Sequence, residues 1–486
     1  MTTVDLAPVL QLFTGAVDEA VYQPSVIPGY RNNPLIEVLP PIWAATETIS
    51  QLRYEPEYDE TIRQLPTELR LHLLHDALQF FEPMPVHVEL EQRLSRLVRA
   101  GYQGRNPLQR GFRNQMNVRL QRKQQARQQT RSQGFTLLGV SGVGKTTALE
   151  SILTLYPQIV IHHAYQSQPF SHLQVVWLKL DCPHDGSIRG LCLNFFQAMD
   201  GLLDTRYYRY HARNGRATTD EMLPAMARVS AIHSLGVLVI DEIQHLSEAR
   251  SGGAAKMLNF FVHLVNTIGM PVILVGTPKA QAVLSGEFRQ ARRGAGQGDL
   301  VWNRMEQDAI WDLFLRTLWR YQFTHHVVPL TSELSEILHD VTQGITDLAV
   351  KVYMLAQIRA MTTGRERVTP ALIQSVATDS LRLAQPMLAA LRSGDPMKLA
   401  QFEDIQPLDI STAFAVTQKQ PTLAKTQKVN SVSVQSDMPV KSNLTTTDRS
   451  RTGLLAVTTD PDFSMYETLR ESGYIRSLDT YLEDGS

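Results

Sequence analysis

The string Gly139-Val140-Ser141-Gly142-Val143-Gly144-Lys145-Thr146 follows an apolar run, Phe135 to Leu138, and opens a helical pattern that continues through Thr147. No other feature restricts the fold of this chain as strongly. Glycines at these positions permit backbone angles closed to other residues, so successive N–H groups turn inward around an anion at a helix N-terminus. A G-x-x-x-x-G-K-[ST] string works only as the turn between a strand and a helix, which commits the surrounding chain to an α/β frame. In that frame Lys145 reaches the β- and γ-phosphates of ATP, and the Thr146 hydroxyl is a ligand for Mg²⁺.

The flanking pattern agrees with a parallel sheet covered by helices. Short apolar runs, Phe135 to Leu138, Ile159 to His162, Val175 to Leu180, Val237 to Ile240 and Val272 to Val275, alternate with helical stretches and are expected to be its strands. The run Leu235 to Ile240 ends in Asp241-Glu242, two carboxylates at the carboxyl end of a buried strand, where open α/β sheets place ligands. One carboxylate, Asp241, is expected to serve the Mg²⁺, and the other, Glu242, to polarise the attacking water as general base. The pair makes hydrolysis the favoured reading over mere binding. Thr277, at the end of the last of these runs, is read either as a sensor of the γ-phosphate or as a helix N-cap. Arg289, Arg292 and Arg293 lie in a short basic stretch. They are read as candidates for an arginine that crosses to a neighbouring copy's γ-phosphate, the alternative being a solvated basic turn.

At 486 residues the chain exceeds one hydrophobic core, so several units are expected. Residues 1–130 carry short amphipathic stretches, among them Thr67 to Phe81, broken by prolines, and read as a helical N-terminal appendage with a basic segment for approaching DNA. Residues 131–305 read as the ATPase core. Residues 306–405 are strongly helical and read as a lid, with Thr331 and Thr369-Pro370 as helix starts. Residues 406–452, rich in Thr, Ser, Val, Gln and Lys, read as a disordered linker. Residues 453–486 combine Phe463, Tyr466, Tyr474 and Tyr481 with acidic neighbours and read as a partner-docking tail or as a helix that packs back on the protein.

Charge is unevenly spread although the formal total is −1. From Gln92 to Leu149 there is no Asp or Glu, while arginines and lysines recur throughout. Such a stretch neutralises phosphates without reading sequence, so nonspecific duplex DNA is the expected partner, with a solvated basic helix from Arg110 to Arg131 as the alternative. The N-terminus MTTVDLAPVLQLF lacks the basic start of a secretory signal, and no apolar run reaches the roughly 18 residues of a membrane span. A cytoplasmic protein without a membrane partner is expected. Cys182 and Cys192 sit in apolar segments and read as reduced core thiols. His162-His163 and His325-His326 lack the same-face spacing of metal ligands.

Beyond these motifs the sequence resembles the TnsC family, AAA+ regulators of heteromeric bacterial transposons, and more distantly the TniB and MuB regulators. The resemblance rests on Tyr30-Arg31-Asn32-Asn33-Pro34, Gly101-Tyr102-Gln103-Gly104-Arg105-Asn106-Pro107, Leu238 through Ser247, Met257 through Val262 and Ala291-Arg292-Arg293-Gly294-Ala295-Gly296, and it covers about residues 22 to 405. It implies an ATP-dependent homo-oligomer, ring or filament, that wraps DNA. That oligomer would link a target-selection protein or RNA-guided complex to transposase subunits and be reset by hydrolysis. One departure concerns the lid: Gly344-Ile345-Thr346-Asp347 has Asp where many AAA+ proteins carry a sensor arginine, with Lys351 one turn later. Two rival readings remain, a signalling or scaffolding switch that never touches DNA and a helicase loader.

Overall fold

The computed structural model describes residues 15–76, 79–111, 134–213, 216–248, 257–262, 265, 269–280, 284 and 298–394. Strands β1 (Val17–Glu19), β2 (Phe135–Gly139), β3 (Ile159–Tyr165), β4 (Gln168–Val175), β5 (Trp177–Asp181), β6 (Val237–Asp241), β7 (Val272–Gly276) and β8 (Asp299–Trp302) form two sheets. The larger has five parallel strands in the order β5-β6-β7-β2-β8. The strand that delivers the glycine-rich turn is thus flanked by β7 and β8, and β7 lies between it and the strand ending in Asp241.

Burial on both faces explains the near-continuous apolar composition of these strands. Along β6, Val237 and Val239 face one core with Phe135, Leu137, Ile273 and Val275, whereas Leu238 and Ile240 face the other with Leu178, Leu180, Val272 and Leu274. Helices α1 (Thr67–Asp76), α2 (Pro85–Gln103), α3 (Lys145–Leu153), α4 (Ile188–Leu203) and α5 (Thr219–Ile232) precede the last strand. Leu94 and Leu97 of α2 with Leu149 and Ile152 of α3 cover the first face, and Phe195, Phe196 and Met226 of α4 and α5 the second.

Five further helices follow: α6 (Ala309–Trp319), α7 (Ser332–Thr342), α8 (Thr346–Thr362), α9 (Pro370–Ser380) and α10 (Gln385–Ser393). They share a core centred on Trp311, Leu338, Tyr353 and Ile373. The Thr331 hydroxyl accepts from Leu334 N (3.3 Å) and the Thr369 hydroxyl from Leu372 N (3.2 Å), with Pro370 in the first turn.

Two expectations need correction. Val175 to Leu180 is not one strand: β4 ends at Val175, β5 begins at Trp177, and the chain passes between sheets at this point. The run at Ile159 does not join the large sheet. Strand β3 pairs with β4 across a tight hairpin, whose tip residues Gln166 and Ser167 both have positive φ, and runs parallel to β1 on its other side. The N-terminal region, read as a helical appendage, also packs into both cores. It contributes a strand, β1. Its helix α2 carries an apolar stripe that buries against the sheet, while Leu71, Leu74, Phe80 and Met84 belong to the core of the five C-terminal helices.

Candidate functional site

At the end of β2 the chain turns through Val140 to Gly144 and enters α3. Gly142 and Gly144 have φ of +80° and +95°, the left-handed region open to glycine, and Gly144 is the residue immediately before the helix. The turn therefore presents backbone N–H groups at a helix N-terminus, a ready anion cradle. Lys145, 8% exposed, donates from Nζ to the carbonyls of Gly139 (2.8 Å) and Val140 (2.9 Å). The Thr146 hydroxyl donates to Asp241 Oδ2 at 2.9 Å.

Asp241 sits at the carboxyl end of β6 and is 3% exposed. Its Oδ1 accepts from Glu242 N (2.8 Å), which steadies Glu242 in a left-handed backbone conformation with φ +55°. Lys179 Nζ lies 3.5 Å from Asp241 Oδ2, 3.1 Å from Glu150 Oε1 and 3.4 Å from Asp181 Oδ1. Burial opposes the Lys179 charge, but Glu150, Asp241 and Asp181 together hold its pKa above the ordinary lysine value. The ammonium thereby offsets part of the negative charge gathered around Asp241.

A cavity of about 150 Å³ is lined by Ser141, Gly142, Gly144, Lys145, Thr146, Thr147, Asp241, Glu242, Gly276, Thr277 and Asp347. Thr277 is 4% exposed, and its Oγ1 is a buried side-chain oxygen without a hydrogen-bond partner among the described residues. That hydroxyl is not the cap of a described helix. Its backbone N–H donates instead to Gln244 Oε1 (3.1 Å), and Gln244 Nε2 donates to Glu242 Oε2.

A second cavity, of about 530 Å³, shares Gly142, Gly144, Thr147 and Asp347 with the first and extends between Phe80 to His87, Val301 to Glu306, and Val350 of α8. His87 accepts from Met84 N on Nδ1 (2.7 Å), and burial pushes its pKa down to about 4, so the ring is neutral with Nε2 left as donor. Its ring centroid lies 5.1 Å from that of Trp302.

Of the predicted motif residues, Val143 is buried in the core and Val140 is half-buried, so these two act through their backbone. At the departure in the lid, Asp347 Oδ2 pairs with Lys351 Nζ (2.8 Å). The start of α8 nevertheless touches the glycine turn: Asp347 N and the Thr346 hydroxyl both donate to Gly142 O, at 3.0 and 3.2 Å. Arg289, Arg292 and Arg293 lie outside the described residues, as do residues 112–133 of the acid-free stretch and everything from 395 onward. Within the described part of that stretch Arg96 and Arg110 are exposed, and the reading as a DNA-facing surface needs correction for two arginines only. Arg99 and Arg105 are each 3% exposed and spend their guanidinium donors on carbonyls, Arg99 on Pro40 O and Arg105 on Leu235 O (2.6 Å) and Gly101 O (2.9 Å). Among the described residues no group of three or more His, Cys, Asp or Glu is placed to hold a metal, and no helix is long and apolar enough to cross a membrane. Both cysteines are buried, and burial raises each thiol pKa to about 12.

Sequence reasoning missed Gln244, Lys179, His87 and Trp302. Lys179 had a signal, a lone cation in an apolar strand, but the other three are distinguished only by where the fold brings them.

Residues 128–284 match the AAA domain family. The chain has an AAA+ P-loop fold. Solved structures similar to it include the ORC1 protein of Aeropyrum pernix in complex with DNA (16% identity, 64% of this chain and 70% of that one, TM-score 0.39). Cdc6p from Pyrobaculum aerophilum (14%, 51% and 60%, 0.36) and Drosophila ORC bound to DNA (12%, 78% and 88%, 0.37) are also similar. No curated protein matches the chain. In this AAA+ fold the matched segment contains β2 through β7, and hence every side chain of the smaller cavity except Asp347.

Proposed function

We propose that this chain is an ATPase that assembles with copies of itself on duplex DNA and regulates transposition, joining a target-selection factor to the transposase, with hydrolysis timing assembly and release. The observation that carries the ATPase reading is the Thr277 hydroxyl, buried without a partner among the described residues at the wall of a cavity that also holds Lys145, Thr146, Asp241 and Glu242. A buried hydroxyl without a partner costs free energy, so its retention points to a ligand oxygen as its partner.

In this reading the glycine turn binds the β-phosphate through its N–H groups, and Lys145 leaves the carbonyls of Gly139 and Val140 for the β- and γ-phosphates. Thr146 and Asp241, already 2.9 Å apart and offering hard oxygen donors, suit Mg²⁺ and would hold it. Bound there, Mg²⁺ would neutralise charge on the phosphates. Glu242 accepts the proton of the attacking water, and Thr277 donates to the γ-phosphate. The base occupies the larger cavity, with Trp302 as an apolar wall and His87 Nε2 as a donor. Arg289, Arg292 and Arg293 supply the candidates for the arginine that reaches a neighbour's nucleotide.

The DNA and transposition parts rest on the acid-free stretch, principally its residues 112–133, and on the resemblance described above. Purified protein with duplex DNA and ATP tests them: DNA binding that requires ATP and raises phosphate release is expected. Turnover indifferent to DNA, with no DNA bound, would favour the signalling or scaffolding switch.

A further inference from the structure

We infer that Gln244 is a positioning residue that couples the hydrolytic base Glu242 to the γ-phosphate-facing end of β7. The inference rests on Glu242 being that base. Gln244 is 6% exposed and does not line the phosphate-sized cavity, so it acts on the site through its neighbours. Its carboxamide lies between two groups of fixed polarity. The Thr277 N–H can only donate and takes the amide oxygen at 3.1 Å, and the Glu242 carboxylate takes the amide nitrogen. Turning the amide over would set donor against donor and oxygen against carboxylate, so chemistry fixes the orientation.

Two further features make this bridge specific. Glu242 lies in a left-handed backbone conformation that side-chain-bearing residues seldom adopt, so the direction of its carboxylate depends on contacts rather than on backbone preference. At the end of β7, a Cβ on Gly276 would meet Gln244 Oε1 at 2.9 Å and Ile243 Cγ2 at 2.6 Å, so the amide fits beneath the strand end because that residue is glycine. The consequence is mechanical. Thr277 shifts when its hydroxyl meets a γ-phosphate oxygen, its N–H moves with it, and the amide carries the displacement to the carboxylate two residues from Gln244.

The test measures steady-state hydrolysis and nucleotide affinity of the full chain with Mg²⁺-ATP and duplex DNA. Gln244→Ala is expected to lower kcat at least tenfold while leaving KM and nucleotide affinity within twofold. Gln244→Glu retains the acceptor for Thr277 but sets a second carboxylate against Glu242; the two then share a proton, and the acid limb of the kcat–pH profile moves up by at least one pH unit. Gly276→Ala, which keeps Gln244 but displaces its amide, is expected to reproduce the kcat loss and guards against a Gln244 variant that does not fold. Turnover of Gln244→Ala within twofold of the parent overturns the proposal, as does a parallel loss of kcat, affinity and thermal stability with an unshifted Gln244→Glu profile. Glu242→Gln separates the two levels. If it turns over normally the base assignment itself fails, whereas if it is inactive and Gln244→Ala is fully active, only the coupling fails.

Discussion

Thr277→Val makes the sharpest demand on the proposed site, because it should move stability and turnover in opposite directions. Valine replaces the hydroxyl by a methyl group of nearly the same size. The Thr277 Oγ1 is buried and lacks a partner among the described residues, so its removal relieves a desolvation cost of about 1–3 kcal/mol in the nucleotide-free protein. At about 2–4 °C per kcal/mol this raises the melting temperature by several degrees. With ATP bound, the same change deletes one donor aimed at charge that grows during phosphoryl transfer, a loss of about 10²–10³ in kcat. A nucleotide-free thermal melt and a phosphate-release assay on the same preparation read both quantities. Thr277→Ser keeps the hydroxyl and should retain turnover within a few-fold. A variant that melts lower, or hydrolyses ATP as fast as the parent, refutes the argument, since the hydroxyl would then be a structural group with a partner.

Other consequences are simpler to state. Lys145→Ala removes the cation that in the proposed function reaches the phosphates, and should abolish binding of a fluorescent ATP analogue while leaving the fold intact by circular dichroism. Arg105→Ala removes donors from three carbonyls and should destabilise the protein by at least about 3 kcal/mol in urea; removal of charges at Arg119, Arg122 and Arg127 should instead flatten the salt dependence of DNA binding. Burial holds His87, His162 and His233 down at about 4, against 6.5 when exposed, so the unfolded chain binds more protons between these values. Stability is full above about pH 6.5 and should fall as pH drops toward 4, by up to about 1.4 kcal/mol per pH unit for each ring, which acid titration of the melting temperature will register. Deletion after Pro407 should spare hydrolysis and DNA binding yet weaken recovery of transposase in a pull-down; undiminished recovery would remove the docking role of the tail.

The geometry of the glycine turn and of Asp241-Glu242 was legible in the sequence because it is local: a run of residues forms the turn, and a strand delivers adjacent carboxylates. The helix starts at Thr331 and Thr369 were legible for the same reason. What could not be read was contact across sequence distance. Gln244 lies two residues from Glu242, yet its importance comes from meeting Thr277 N, which depends on β6 and β7 being neighbours. Buried Arg105 looked like part of a cationic surface, since composition does not distinguish a guanidinium that faces solvent from one that caps carbonyls beneath a helix. The break at Val176 was hidden because the apolar run is unbroken in sequence although the chain changes sheets there.

The segment Phe80 to His87 joins two packing environments, with Phe80 and Met84 in the core of the C-terminal helices and Leu90, a little further on, in the core against the sheet. It is also one wall of the larger cavity. A rotation of the helical lid relative to the sheet cannot leave this strap unmoved, because its two ends are anchored to the two bodies that rotate. The N-terminal region is therefore a lever as well as a wall. If the C-terminal helices close on a base as proposed, that movement also displaces the preceding residues, and a partner gripping those residues would bias the closure in return.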